Sequence, residues 1–471
     1  MDTEPLPRSA PSRLGVAAQG VSEFLDRIES LGLGLHSLMI VKNGHVITEG
    51  WWTPYRADVP QLTYSLSKSV TSTAIGIAQS EGLLSIDDAV TSIFSDTVKK
   101  APTEFLAEMK IRHLLTMSSG HVEDTWPALS TSDSDIVSHF LDIEPEVRPG
   151  TNFCYNGGCT YVLSAIISRL TGVTLLEYLR PRLFEPMGIK EIEWLTSREG
   201  ITLGFTGLHL GTESIAKFGV LQLQLGEWKG RQLVPAEFLV EAHAKQVSNL
   251  ENSPDPDWRQ GYGFQFWLCR HRAYRADGAF GQLCVVIPQH NAVVVCTAET
   301  PKMQMELDAI WEYLLPTLSV SSEPDPLADE TLSRRVDHLA CPSLATSPNV
   351  GPLSAVFERA GASAPLTESF VQLRVERSGS ALSLAIATPG HEYHFQLADT
   401  EWTSGTLPGL HTPLSEVAVR GGWISPTHFS VDVVWPSSPH RLLLRGVIGT
   451  PCSFEATWAT SPRRGLDGVQ F

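Results

Sequence analysis

Ser65-Leu66-Ser67-Lys68, continued by Ser69-Val70-Thr71-Ser72-Thr73-Ala74-Ile75-Gly76-Ile77-Ala78-Gln79-Ser80, is the stretch from which the rest of the chain is read. From Ser69 to Ser80 there is no charged residue, and a helix that is apolar or small all round is a buried one. Lys68 stands alone in the first turn. A buried ammonium is costly unless it is paired or deprotonated, so a lysine here needs a reason. Positions three apart share a helical face, which brings the Lys68 amine within reach of the Ser65 hydroxyl. The positive end of the helix dipole lowers the amine's pKa and favours negative charge beside Ser65. This is the layout of a serine nucleophile activated by a neutral lysine. The bland alternative is a lysine that snorkels out of a helix start.

The same spacing recurs at Ser214-Ile215-Ala216-Lys217. There Glu213 precedes Lys217 by four residues, the order that makes a favourable surface ion pair. Lys217 is therefore expected on the surface with an ordinary partner, and Lys68 has none.

A chain of 471 residues, 42% of them hydrophobic, has room for two or three domains with proper cores. Its net charge of -17 argues against nucleic acid or an anionic membrane surface as a partner. No run approaches the roughly 18 apolar residues of a membrane span. The start, Met1-Asp2-Thr3-Glu4-Pro5-Leu6-Pro7, is polar and proline-rich with no apolar signal core, and residues 1–18 are expected to be a flexible lead-in. Seven cysteines form no small-domain disulfide framework, which points to a reducing, cytoplasmic setting. Cys154 and Cys159 are expected to be buried thiols rather than metal ligands. His391-Glu392-Tyr393-His394 is one residue short of zinc-protease spacing and alternates like a strand. Phosphate loop, dinucleotide fingerprint and Gly-x-Ser-x-Gly elbow are all missing, and no motif calls for a cofactor or a metal.

Two runs, Leu38–Val41 and His45–Thr48, flank Asn43-Gly44 and read as a hairpin. A largely helical middle follows to about residue 245. Phe280–Ile287 and Ala292–Thr297 make a second hairpin, and a helix over Met303–Leu315 packs on it. Strands at both ends with helices between imply an α+β fold, one antiparallel sheet flanked by helices and carrying a helical insertion. The expected units are a lead-in (1–18), this α+β domain (19–320), an acidic proline-bearing linker (321–335) and a C-terminal all-β barrel or sandwich (336–471). The last is expected to be structural or substrate-gating.

The first 320 residues resemble the serine β-lactamase and penicillin-binding-protein superfamily, in particular its esterase/β-lactamase branch (class C-like). Tyr64–Ser72 matches that branch's nucleophile segment, including its SxxK motif. Ile111–Gly120 looks like the stretch after the nucleophile helix, and Pro149–Asn156 like the lead into a second element of tyrosine plus amide. Gly281-Gln282 ahead of a strand resembles the third element. The resemblance implies a β-lactamase-like fold and an acyl-enzyme mechanism. Ser65 would attack a carbonyl, Lys68 with Tyr155 would move the proton, and the N–H groups of Ser65 and Ala279 would form the oxyanion hole. Asn156, Gly278 and Ala279 are the implied substrate-binding positions. Tyr155-Asn156-Gly157 lacks the side chain usual at its third position. Ala276-Asp277-Gly278 lacks the usual lysine or histidine, and Arg275 should face the other side of the strand. A cation for a substrate carboxylate is thus missing from this strand, and neutral substrates are expected to be favoured over classical penicillins.

The reading is a cytoplasmic serine hydrolase (esterase or amidase) of small esters or amides, with weak β-lactam hydrolysis as a by-product of shared chemistry. Acyl transfer through the same acyl-enzyme is the enzymatic alternative. A non-catalytic receptor or scaffold on the same fold is the alternative from another class. Oligomeric state, homo-oligomer included, is left open.

Overall fold

Asn43 and Gly44 both take left-handed backbone, with φ of 50° and 76°, so the chain reverses tightly between β1 (Leu35–Lys42) and β2 (His45–Trp51). Four later strands complete the sheet: β3 (Trp267–Leu268), β4 (Tyr274–Gly278), β5 (Gln282–Ile287) and β6 (Ala292–Ala298). Their order is β2-β1-β6-β5-β4-β3, and every pair is antiparallel. Leu38 opposes Cys296 and Ile40 opposes Val294. The two ends of the domain thus build one sheet, and the helical middle is the insertion. The computed structural model describes residues 4–463 apart from 99, 133–134, 320–321, 343–345, 348–349, 361–369, 380, 399–400 and 407–414. Residues 1–3 of the expected lead-in and residue 321 of the expected linker lie outside the described residues.

Successive strand residues point to opposite faces, and both faces of this sheet are covered. Met39, Val41, Val293 and Val295 join the core made with α2 (Ser67–Ser80), α3 (Gly157–Thr171) and α4 (Thr212–Leu223). Leu38, Ile40, Val294 and Cys296 join the core made with α1 (Ala18–Leu31) and α5 (Met303–Ala309). Helix α2 is central, and most of its hydroxyls are spent on neighbours, the buried Ser72 hydroxyl alone having no partner among the described residues. Ser67 donates to the Tyr64 carbonyl (2.6 Å), Ser69 to that of Gln265 (2.6 Å) and Thr71 to that of Gly204 (2.8 Å). That is how a helix rich in serine and threonine stays buried with few orphaned groups.

Three expectations change. The lead-in is pinned: Ser9 N–H donates to the Val46 carbonyl (3.0 Å), and Arg8 forks between Glu49 (2.9 Å) and Glu213 (3.0 Å). The linker carries α6 (Pro326–Val336), capped by Asp325 and docked through buried Leu332 and an Arg335–Asp26 pair (2.7 Å). Aspartate followed by proline is a helix start as well as a linker mark, and composition alone does not separate the two. Finally, Glu213 is taken by Arg8, so its expected ion pair with Lys217 is replaced: Lys217 is buried and donates to the Met187 carbonyl (3.1 Å).

Nine strands follow: β7 (Ser354–Arg359), β8 (Gln372–Ser378), β9 (Ala381–Ala387), β10 (Glu392–Leu397), β11 (Thr403–Thr406), β12 (Glu416–Trp423), β13 (His428–Val434), β14 (Arg441–Val447) and β15 (Ser453–Trp458). They form one sheet, ordered β10-β9-β8-β7-β15-β14-β13-β12-β11. The edges β10 and β11 meet, with the Thr403 hydroxyl donating to the Gln396 carbonyl. The result is a nearly closed barrel around Phe357, Trp423, Phe429 and Trp435. It is fastened to the first domain by an Arg56–Glu416 fork (2.7 Å on both arms) and by Leu62 N–H to the Ser437 carbonyl (2.9 Å).

Candidate active site

Tyr64–Leu66 forms one 3-10 turn ahead of α2. Tyr64 has φ of 48°, a left-handed conformation that strains an aromatic residue unless its surroundings hold it. They do: its hydroxyl hydrogen-bonds to His440 Nε2 (2.5 Å), and its ring meets Phe280 edge-on at 5.3 Å. The turn leaves Ser65 half-buried at the start of α2. Lys68 is 3% exposed, and its Nζ lies 3.0 Å from Ser65 Oγ and 3.1 Å from the Phe205 carbonyl. Burial is the largest influence on this amine. It pulls the pKa down from 10.5 to about 7, against the nearby charges of Asp124 and Asp277. An uncharged amine has a lone pair for the Ser65 hydroxyl proton while an N–H still donates to Phe205.

Tyr155 comes from the loop before α3, and its ring centre is 4.8 Å from Lys68 Nζ. That loop is held by the Met117 turn (φ 55°): Cys154 N–H donates to the Met117 carbonyl (2.8 Å), and Gly150 N–H to that of Ser118 (2.7 Å). Here the Ile111–Gly120 stretch has its structural use. Burial raises the Tyr155 phenol well above its ordinary value, and hydrogen bonds with Ser65 and Trp267 offset only part of this. The phenol is therefore a protonated donor at neutral pH, while the Lys68 amine is the more readily deprotonated of the two. Trp267 (ring centres 5.2 Å apart) and Tyr262 (6.3 Å) wall the tyrosine in. Neither was legible as a site residue, because each sits in a run of aromatics typical of core.

Gly278 ends β4 where a Cβ would stand 2.0 Å from the Thr63 carbonyl. Only glycine lets the strand close on the segment that carries Ser65. Ala279 follows, then a turn in which Phe280 and Gly281 have φ of 66° and 89°. The Gln282 amide braces it from within, donating to the carbonyls of Ala298 (2.7 Å), Phe280 (3.2 Å) and Ala279 (3.3 Å). Gln282 thus positions the backbone that bears the Ala279 N–H, and a glutamine opening an otherwise apolar strand was its sequence signal.

Asn156 is elsewhere. It is fully buried as the N-cap of α3, its Oδ1 accepting from Gly158 N–H (2.9 Å) and the Thr125 hydroxyl (2.8 Å). Its Nδ2 is directed to the Glu123 carbonyl (3.5 Å). The structure thus places Asn156 as a helix cap, and no hydrogen bond joins it to Ser65 among the described residues. Ala276 lies in the helix-side core. Arg275 is fully buried, its guanidinium paired with Asp277 (2.7 Å), bonded to the Asp257 carbonyl (2.8 Å) and stacked on Trp258. Neither faces a substrate. Asp277 is a buried strand residue whose carboxyl is raised by burial while Arg275 opposes the shift. A separate cavity of about 660 Å³ lies between α1, the stretch after α6 and the barrel, and none of Ser65, Lys68 and Tyr155 lines it.

A family model described as Beta-lactamase matches residues 26–317. The chain is 26% identical over 164 residues to the lovastatin esterase of Penicillium rubens, spanning 30% of this chain and 41% of that one. It is 26% identical over 175 residues to the D-aminopeptidase of Brucella anthropi, spanning 33% and 32%. It thus aligns with less than half the length of either relative. The octameric penicillin-binding-protein homologue from Pyrococcus abyssi superposes with a TM-score of 0.50 at 16% identity, covering 92% of this chain and 96% of that one. At that identity the likeness is one of fold. No single helix among the described residues is long and apolar enough to cross a membrane.

Proposed function

Because this chain belongs to the β-lactamase family, we propose that it is a serine hydrolase of small esters or amides working through an acyl-enzyme on Ser65. One observation carries the reading: a buried lysine amine, lowered to about 7 and without an ion pair among the described residues, stands 3.0 Å from the Ser65 oxygen. In the proposed reaction the neutral Lys68 amine takes the Ser65 proton as Oγ bonds to the substrate carbonyl carbon. The carbonyl oxygen becomes an oxyanion between the N–H groups of Ser65 and Ala279, whose mutual approach Gly278 permits. Lys68 then returns the proton to the leaving alcohol or amine through the Tyr155 phenol. Water, deprotonated by the same pair, attacks the ester and frees Ser65. The seven cysteines are free thiols, which supports a reducing, cytoplasmic setting.

The test is labelling with a fluorophosphonate, followed by peptide mapping. One adduct, on Ser65, is expected. Labelling that survives Ser65→Ala would overturn the assignment. Product analysis with an added alcohol separates hydrolysis from acyl transfer.

A further inference from the structure

Segment 459–463 leaves the last barrel strand and runs to the turn that carries Ala279. Ala459 N–H donates to the Arg441 carbonyl (2.9 Å), and Thr460 donates to Glu299 through both its N–H (3.2 Å) and its hydroxyl (3.0 Å). His440 accepts the Tyr64 hydroxyl on one ring nitrogen and meets Thr460 on the other (2.9 Å to the carbonyl). Its ring packs edge-on against Phe280 at 4.9 Å. Three residues beyond Thr460, Arg463 lies over the Phe280 ring, its guanidinium carbon 5.7 Å from the ring centre. Phe280 directly follows Ala279. Arg463 is exposed and makes no ion pair among the described residues.

We infer that Arg463 is an anion-binding subsite of the active centre, and that it takes a substrate carboxylate near the scissile carbonyl. The inference rests on the serine-hydrolase reading above and gives that site a substrate class. Three observations lead to it. The strand beside the nucleophile offers no cation, since Ala276 is buried and Arg275 is locked to Asp277. The charge of Arg463 reaches both Lys68 and Tyr155, so the guanidinium stands at this site rather than on a remote surface. A guanidinium lying on an aromatic face keeps its N–H fork free for a planar carboxylate, and Arg463, being exposed, pays no desolvation cost in waiting. The expectation of neutral substrates drew on β4 alone. The cation comes instead from the barrel, far along the chain.

The experiment uses the full chain and two esters of equal length, p-nitrophenyl valerate and mono-p-nitrophenyl glutarate, which differ by a terminal carboxylate. Arg463→Gln should lower the glutarate-to-valerate ratio of kcat/KM by about tenfold, since any effect of the lost charge on Lys68 and Tyr155 falls on both esters alike. Arg463→Lys should keep part of the preference, and added salt should erode it in the wild type. An unchanged glutarate-to-valerate ratio in Arg463→Gln, with valerate still turned over, overturns the subsite and leaves the hydrolase reading standing. No turnover of either ester, together with no adduct on Ser65, overturns both.

Discussion

Two segments of this chain carry the same spacing, Ser65 to Lys68 and Ser214 to Lys217, and both lysines are buried on a helix, Lys68 in its first turn and Lys217 midway along. Lys68 meets its serine at 3.0 Å, whereas Lys217 turns to the Met187 carbonyl at 3.1 Å. Desolvation lowers the pKa of both amines, and nearby carboxylates oppose the shift at each, Asp124 and Asp277 at Lys68 and Glu213 at Lys217. What separates them is the chain ahead of each helix. Before α2 a left-handed Tyr64, held by His440 and Phe280, sets Ser65 on a 3-10 turn. Before α4 the entry is ordinary: extended Gly211 leads straight into the helix, and Ser214 sits inside its first turn. A motif in sequence becomes a site only where backbone strain and a dry partner are both supplied.

The comparison is broken most decisively by removing each hydroxyl. Ser65→Ala should abolish turnover, and Ser214→Ala should leave kcat unchanged, both read in a steady-state ester assay. Next come the amines. Lys68→Met should lower kcat by several orders of magnitude, and adding Tyr155→Phe should cost little more, because the two residues act as one relay. Lys217→Met should spare kcat and instead lower the thermal midpoint, since it leaves the buried Met187 carbonyl without its donor, worth about 1–3 kcal/mol.

Acidity gives a third contrast. The base must be neutral, so the acylation rate should climb as pH rises through about 7 and level off above it, where an ordinary lysine would place the rise near 10.5. The sign for stability follows from the same shift. Folded Lys68 binds its proton more weakly than the unfolded chain does, so stability increases as pH rises from about 7 towards 10.5. Lys68→Met should lose that dependence in pH-resolved denaturant melts. The smallest effect is expected at Asn156: as an N-cap, Asn156→Ala should cost about 1 kcal/mol of stability with KM unchanged. A raised KM with intact stability would instead return Asn156 to the substrate.

The sheet was legible because its two hairpins announce themselves by alternation and by Asn43-Gly44, and α2 because an uncharged helix has nowhere to go but inside. Ser65, Lys68 and Tyr155 are brought together as their segments suggested. The helix at Pro326–Val336 was misread because a capped helix start and a linker share aspartate and proline. The capping place of Asn156 was not legible because helix capping and substrate binding ask for the same amide. The Tyr64–His440 contact spans 376 residues, and no local pattern encodes a partner that far away. Arg463 was hidden for the same reason.

The central claim is that Ser65, rather than its twin, is the nucleophile. Intact-mass and peptide analysis of the wild-type protein after a fluorophosphonate at pH 8 tests it directly. The account predicts a single adduct on Ser65, formed more slowly at pH 6 as Lys68 gains its proton. An adduct on Ser214, or no adduct at either pH, would contradict it.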